Sequence, residues 1–494
     1  MSELQTITPS KLPQKGRPAE EILGQLSNLK QHDVAWESGK VLAYVYEPKK
    51  ETEAVTKAAY SMYLIENGLD PTAFPSLLQL ENQLIGIAIN LLGGDEETVG
   101  SFTSGGTESI ILAVKTARDY YKDKYPTPGV PEMIVAETAH AAFHKAGHYL
   151  GVNVVVAPVN KETFKLEVGV VEGLITENTI LLVGSAPSYA HGVIDPIEEL
   201  AALAKQRNLL CHVDACVGGF YLPFAKKAGY DVPAFDFSVD GVTSMSADFH
   251  KYGYAAKGAS CILQKNRDLR RYQIFACSSW AGYTIINPTV LSSKTGGPLA
   301  GAWATMQHIG EEGYVEMVKG CQEATALCVE AVAQIPELEV MGTPEINLVA
   351  ITAVDPSVNI FGISDFMAKR GWHIQVQLAS SCGKEALHLS INRANVAFIP
   401  ELMALLKEAA ALQTSAPKEE GFAIDPSMFA PMLENMDAAT FDNLAEMLGM
   451  GGGGEGAGLP DDLEMINNML NQLPPKQRNV LLTEFMNKLF TATT

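Results

Sequence analysis

An α/β fold built on a mainly parallel sheet, followed by a smaller α+β domain, is what the order of apolar segments predicts. Between Pro71 and Leu299 short β-rich runs alternate with helical stretches, the pattern of right-handed β-α-β units. Beyond residue 300 that alternation gives way to strands and helices in mixed order. Composition supplies a third observation: 47% hydrophobic and 19% charged residues belong to a globular chain, not a disordered or collagen-like one.

Taken in order, residues 1–60 form an N-terminal arm. In it Leu23, Leu26 and Leu29 recur every third position as in a helix, and Val41–Tyr46 reads as a short strand. Residues 61–300 are the large domain, with a helix over Leu77–Leu92 and strands over Met133–Val135, Val152–Val156, Thr179–Val183 and Leu209–Val213. A long helix starting near Pro298 leads into residues 301–414, the smaller domain. Its expected strands are Leu338–Met341, Leu348–Thr352 and Leu387–Ile391, and its expected helices Ile363–Lys369 and Pro400–Ala411. Residues 415–494 are an acidic, Met/Gly-rich tail with 12 acidic and 4 basic residues and 8 of the 17 methionines. Its stretch 449–458 reads as a flexible linker between short amphipathic helices, Phe441, Leu444 and Leu448 before it and Leu463, Ile466, Met469, Leu470 and Leu473 after it. Such Met-rich faces suit adaptable docking, on the chain's own body or on another protein.

Lys and Arg number 36 against 57 Asp and Glu, a formal charge of −21. That balance leaves no basic footprint for nucleic acid or an anionic membrane surface. No apolar run reaches the 18 residues of a membrane span, and the first residues lack the apolar core of a signal peptide. Seven cysteines, an odd number without a C-x-x-C pair, fit reduced thiols. A cytoplasmic chain without a transmembrane segment is expected.

Four segments carry chemistry. In Ser244–Gly258, Lys251 follows His250 within a Ser/Ala/Gly-rich stretch. A lysine whose ammonium is deprotonated by burial and neighbouring cations attacks aldehydes, although such a residue taken alone is more often a solvated loop lysine. Thirty-seven positions upstream an apolar strand ends in Asp214 before the double glycine 218–219. A strand-end carboxylate stands where α/β proteins bind ligands and can hold a pyridine nitrogen protonated; a helix N-cap is the plain alternative. In Val99–Ser109, Gly105 and Gly106 open a helix whose free N–H groups, with the hydroxyls of Ser104, Thr107 and Ser109, can hold a phosphate. The stretch matches neither G-x-G-x-x-G nor a Walker loop. Finally His140, His144 and His148 recur every fourth residue. A metal site would need a further ligand and there is no H-E-x-x-H, so no metal is expected; stacking on a planar cofactor is the better use of His140.

Together these segments resemble the pyridoxal-phosphate-dependent group II decarboxylase superfamily, and within it the sphingosine-1-phosphate lyases and their bacterial relatives. The resemblance runs from about Leu12 to about Leu412. Its carriers are TSGGTES (103–109), HAAFHKAGHYLG (140–151), GSAPSYAHGVIDPIEELAALA (184–204), HVDACVGGFYLPFAKKAGY (212–230) and DFSVDGVTSMSADFHKYGYAAKG (236–258). It implies fold type I, the aspartate-aminotransferase-like architecture, a pyridoxal 5'-phosphate cofactor, and a homodimer with active sites at the subunit interface. It further implies that Lys251 forms the Schiff base, Asp214 pairs with the ring nitrogen, His140 stacks on the ring, and Gly106 and Thr107 contact the cofactor phosphate. His250 joins that phosphate site, and the loop carrying Ser292 reaches a neighbouring subunit.

For the substrate, a small-molecule or lipid-derived amine, Tyr46 and Lys257 match the lyase family's phosphate-handling Tyr and Lys. Asp70 stands where that family has a His, and Lys294 where it tends to carry Arg-Pro. Asp70-Pro-Thr-Ala-Phe-Pro75 is also similar to a stretch of some amino-acid decarboxylases. The resemblance therefore implies a carbon–carbon lyase that cleaves the Cα–Cβ bond of a phosphorylated β-hydroxy amine to an aldehyde and an amino phosphate, with amino-acid decarboxylation as the alternative.

Overall fold

A computed structural model of the chain describes residues 12–415, 433, 436–447 and 463–491. Its central sheet has seven strands: β1 (Val99–Thr103), β2 (Glu132–Ala136), β3 (Asn153–Ala157), β4 (Thr179–Ser185), β5 (Leu210–Asp214), β6 (Ser244–Ala247) and β7 (Ser260–Gln264). They lie in the order β1-β7-β6-β5-β4-β2-β3. Only β7 runs against its neighbours, so the C-terminal ends of the other six share one edge. That edge is where open α/β sheets bind ligands.

The four expected large-domain strands are present as β2, β3, β4 and β5. Their alternate residues feed two cores: Met133, Val135, Leu181 and Val183 join one cluster, while Ile134, Ala136 and Leu182 join the other. Both faces of the sheet are thus covered, which is why these strands read as continuous apolar runs.

The chain then forms a hairpin of β8 (Phe275–Cys277) and β9 (Ile285–Asn287). The expected long helix begins at Gly296 and runs to Val332, but it is two segments meeting at Gly310, whose φ of 65° only glycine adopts cheaply. The smaller domain has an antiparallel sheet of β10 (Leu338–Val340), β11 (Leu348–Ala353), β12 (Gln375–Gln377) and β13 (Ala386–Ser390) in the order β10-β11-β13-β12. Helices Ile360–Ala368 and Ile399–Ser415 accompany it.

In the arm, Val41–Tyr46 is not a strand. It is bent chain, with Tyr44 at a φ of 62° and a single bridge, Val41 to His373, pinned by hydrogen bonds from the smaller domain instead of a ladder. Asn395 Nδ2 donates to the carbonyls of Gly39 (2.8 Å) and Val41 (3.0 Å), and Ser390 N–H donates to Leu42 O (2.8 Å). Arg393 donates to the Glu47 and Pro48 carbonyls, both at 3.2 Å. Helix Ala19–Lys30 buries no residue, whereas helix Lys50–Met62 packs on the long helix through Thr56 Oγ1 and Thr305 Oγ1, 2.6 Å apart.

Past residue 415 the described helices are Ala438–Met447, Glu464–Gln472 and Pro475–Leu489. Phe441, Leu444, Met469, Leu473 and Leu481 form a small apolar cluster among them. Helix Glu464–Gln472 also meets the smaller domain: Asn359 Nδ2 donates to Glu464 Oε1 (2.6 Å), and Ala379 N–H donates to Asn471 Oδ1 (2.6 Å). Leu448 and the glycine-rich stretch 449–458 lie outside the described residues. No described helix is long and apolar enough to cross a membrane.

Candidate active site

The turn after β6 carries Asp248, His250 and Lys251. Lys251 Nζ lies 3.1 Å from Asp248 Oδ2, and Asp248 is 2% exposed. Burial alone would lower the lysine's pKa; the Asp248 carboxylate, with Cys216, Tyr46 and Asp214 beyond it, outweighs burial and holds it above the ordinary lysine value. Burial would likewise raise Asp248, but the Lys251 charge above all holds it below the usual carboxylate value. His250 Nδ1 accepts the Ala259 N–H (3.2 Å), and its Nε2 is 3.6 Å from Asp248 Oδ2. Burial pushes this imidazole down despite Asp248, so it favours the neutral form.

Facing this turn is the start of helix Gly106–Lys124, directly after β1. A Cβ on Gly106 would stand 2.8 Å from both Asp248 Oδ2 and Cys216 Sγ, and one on Gly105 3.7 Å from His250 Cε1. At Gly106 only glycine permits that approach, whereas the Gly105 contact is an ordinary one. Thr107 follows, half-buried in the first turn, where N–H groups have no intrahelical acceptor. Glu108, in the same turn, fixes the backbone around it. Its Oε2 accepts from Ser104 N–H (2.6 Å), and its Oε1 from Val290 N–H (2.8 Å) and Leu291 N–H (3.3 Å).

Asp214 closes β5 on the same edge. Its Oδ1 accepts from Cys216 N–H (3.0 Å) and from Ser246 Oγ (3.2 Å). His140, exposed in the single chain, is not part of a three-histidine helical face. The helix begins only at Ala142, and His140 Nδ1 accepts the Ala142 N–H (3.1 Å), so the ring terminates the helix that carries His144 and His148 on its exposed side. Among the described residues no cluster of three metal-ligating side chains occurs.

The arm delivers Tyr46 to the lysine. Lys257 Nζ sits 4.8 Å from the centre of the Tyr46 ring and donates to His250 O (3.1 Å). Lys257 is exposed as a residue, yet desolvation among its neighbours and then the Lys251 charge push its pKa down to about 8. Burial pushes the Tyr46 phenol up to about 12, against the charge of Lys251. Tyr189 faces the same group: its pKa is raised by burial and drawn down by Ser390 and Lys251, and its hydroxyl donates to Gln375 Oε1 (2.7 Å).

Lys251, His250, Gly105, Gly106, Asp214, Tyr46 and Lys257 thus converge on one edge. Asp70 and Ser292 stand apart from this cluster in the single chain. Asp70 Oδ1 accepts from Thr72 N–H (2.8 Å) and Thr72 Oγ1 (2.6 Å), which caps its own turn and lowers its pKa. The Asp70 turn abuts the loop of Ser292 through Gly68 N–H, which donates to Lys294 O (2.7 Å). Ser292 is exposed, and Lys294 is bound to Glu81, Nζ to both carboxylate oxygens at 2.8 Å. Sequence reasoning missed Asp248, Cys216, Glu108 and Tyr189. Asp248 alone had a local signal, three residues before the lysine.

A phosphorylated pyridine aldehyde fits these groups. Gly105 and Gly106 open a helix whose first-turn N–H groups have no intrahelical acceptor and can donate to a phosphate. Lys251 can bind an aldehyde, and Asp214 retains Oδ2 for a ring nitrogen.

The comparisons agree. Residues 2–354 match the model of the pyridoxal-dependent decarboxylase conserved domain, and residues 401–488 that of a pyridoxal-dependent enzyme C-terminal putative HTH domain. A sphingosine-1-phosphate lyase of Dictyostelium discoideum is 42% identical over 364 residues, 74% of this chain and 68% of that protein. The one from Oryza sativa subsp. japonica is 42% identical over 399 residues, 79% and 72% of the two chains. A probable L-aspartate decarboxylase of Pyrococcus furiosus is 34% identical over 364 residues, 74% of this chain and 94% of that one. The solved sphingosine-1-phosphate lyase of Burkholderia pseudomallei superposes with a TM-score of 0.77 at 34% identity, covering 81% of this chain and 92% of that chain.

Fold and comparisons define a pyridoxal-phosphate-dependent lyase of fold type I. The chain belongs to the pyridoxal-dependent decarboxylase family and is similar, within it, to the sphingosine-1-phosphate lyases.

Proposed function

We propose that the enzyme cleaves the Cα–Cβ bond of a phosphorylated β-hydroxy amine, giving an aldehyde and an amino phosphate. The observation that carries this reading is the Tyr46–Lys257 pair beside Lys251, a phenol and an ammonium 4.8 Å from ring centre to Nζ. The arm brings the first from 205 positions upstream of the lysine. Tyr46 stays protonated through the working pH range and can donate to a phosphate oxygen, while protonated Lys257 supplies the opposing charge.

Bound pyridoxal phosphate supplies an electron sink for the pair released at Cα. Lys251 would hold the cofactor aldehyde, Asp214 Oδ2 would keep its ring nitrogen protonated, and His140 would stack on the ring. Gly105, Gly106, Thr107 and His250 hold the cofactor phosphate. Active sites shared across a homodimer follow from the same resemblance, the Ser292 loop lying at the neighbouring site and Asp70 beside that loop. Seven free thiols, five of them buried, support a cytoplasmic enzyme.

Amino-acid decarboxylation is the second reading, favoured by Asp70, whose carboxylate repels a phosphate, and by the similarity to the Pyrococcus protein. Product analysis by mass spectrometry decides. Wild-type protein loaded with cofactor and given sphingosine 1-phosphate is expected to release the long-chain aldehyde, and the Lys251→Ala variant none. No aldehyde from wild type, with CO2 released from an amino acid instead, would establish the second reading.

A further inference from the structure

Behind Asp214 runs a buried chain of polar groups that the reaction scheme does not use. His212, wholly buried two residues earlier on β5, has Nε2 3.3 Å from Ser246 Oγ and Nδ1 2.9 Å from Ser244 Oγ. Both serines sit on β6, paired in register with His212 and Asp214. Ser246 Oγ is in turn 3.2 Å from Asp214 Oδ1. The imidazole edge rests on Phe143, ring centres 5.9 Å apart, in the helix that follows His140.

The protons in this chain can be counted. A hydroxyl has one hydrogen. If Ser246 gives its own to the Asp214 carboxylate, which can only accept, then the contact with His212 must run the other way, from Nε2–H to Ser246 Oγ. Burial pushes the imidazole down to about 4, so near neutral pH it carries one proton. With that proton on Nε2, Nδ1 accepts from Ser244. One direction, Ser244 to His212 to Ser246 to Asp214, therefore satisfies every group. Turning the imidazole over to the other tautomer makes Ser246 the donor to Nε2 and takes its hydrogen from Asp214.

We infer that His212 is a positioning residue for the cofactor: by fixing the Ser246 hydroxyl on Asp214 Oδ1, it orients the carboxylate so that Oδ2 meets the ring nitrogen. This rests on the proposed pairing of Asp214 with that nitrogen, and the two can fail separately.

The test is the affinity of the full-length apoprotein for pyridoxal 5'-phosphate and for its 1-deaza analogue, in which carbon replaces the ring nitrogen. Wild type should prefer the natural cofactor. In His212→Leu and Ser246→Ala its affinity should fall about tenfold, the size of one charge-assisted hydrogen bond, while that of the deaza analogue stays unchanged. His212→Gln, which keeps an N–H donor, should recover part of the loss. An equal loss for both ligands, or none for either, would overturn the inference, since damage to the fold does not distinguish them. Ser246→Ala removes a single oxygen and carries the test if His212→Leu does not fold. Asp214→Ala is the reference: if it keeps the wild-type preference, the pairing itself is wrong; if it loses the preference and the two relay variants do not, only the role of His212 falls.

Discussion

Lys257 changes charge in the range where the enzyme works. Its pKa, pushed down to about 8 by burial and the Lys251 charge, leaves it cationic below that pH and neutral above it. A phosphorylated substrate should therefore show a KM that rises as pH passes 8, whereas an unphosphorylated analogue should not. Lys257→Met should raise KM at pH 7 and flatten that rise, which steady-state kinetics on the two substrates would reveal. Glycine 106 makes a second claim at this scale. An added Cβ would meet the Asp248 carboxylate at 2.8 Å, and that carboxylate is held by Lys251. Gly106→Ala should weaken cofactor binding by about tenfold or more while leaving far-UV circular dichroism intact, because displacing helix N–H donors costs binding and not secondary structure. Unchanged affinity would remove Gly106 from the phosphate cradle.

Among elements, the first turn of helix Gly106–Lys124 does most to assemble the site, through Glu108. At 8% exposure this side chain takes three backbone N–H groups, one from the glycine turn and two from the segment leading to Ser292. Glu108→Ala leaves them without their acceptor and should cost about 3 kcal/mol of stability, read by denaturant unfolding. Glu108→Gln, keeping one oxygen, should lose less. The elements themselves differed in how plainly they stood in the sequence. Strands β2, β4 and β5 showed because both faces are buried and most of their residues are apolar. The Ser244-Met-Ser-Ala247 strand did not, because its serines are spent on the Asp214 and His212 contacts and give no hydrophobic period. In the site, Lys251, Asp214 and the glycine pair were legible because their chemistry is local to short segments. Cys216 beside Gly106, or Glu108 on the backbone of residues 290 and 291, arise from distant parts of the chain meeting, and no local pattern encodes that.

For the molecule as a whole, acid is the expected weakness. His191, His212 and His388 are buried, and burial pushes each down to about 4. The unfolded chain binds protons at these histidines from pH 6.5 downward while the folded one does not, so stability falls between pH 6.5 and 4. Asp195 acts in the opposite sense: burial raises it to about 6, the folded state takes up its proton first, and acidification favours folding there. Three groups against one leave a net loss, and the apoprotein Tm should drop steadily from pH 6.5 to 4. A flat Tm across that window would contradict the burial of these histidines.

The pinning of the arm also sets an order of events during synthesis. Gly39, Val41, Leu42 and Pro48 are held by Ser390, Arg393 and Asn395. A ribosome that has released the chain only through Gly258 has already made the lysine, the strand-end carboxylate and the glycine turn, yet has none of the three residues that pin the arm on either side of Tyr46. The nascent protein therefore passes through an interval in which it possesses the cofactor groups while the arm that carries Tyr46 is unpinned, and that interval ends only when Asn395 has emerged.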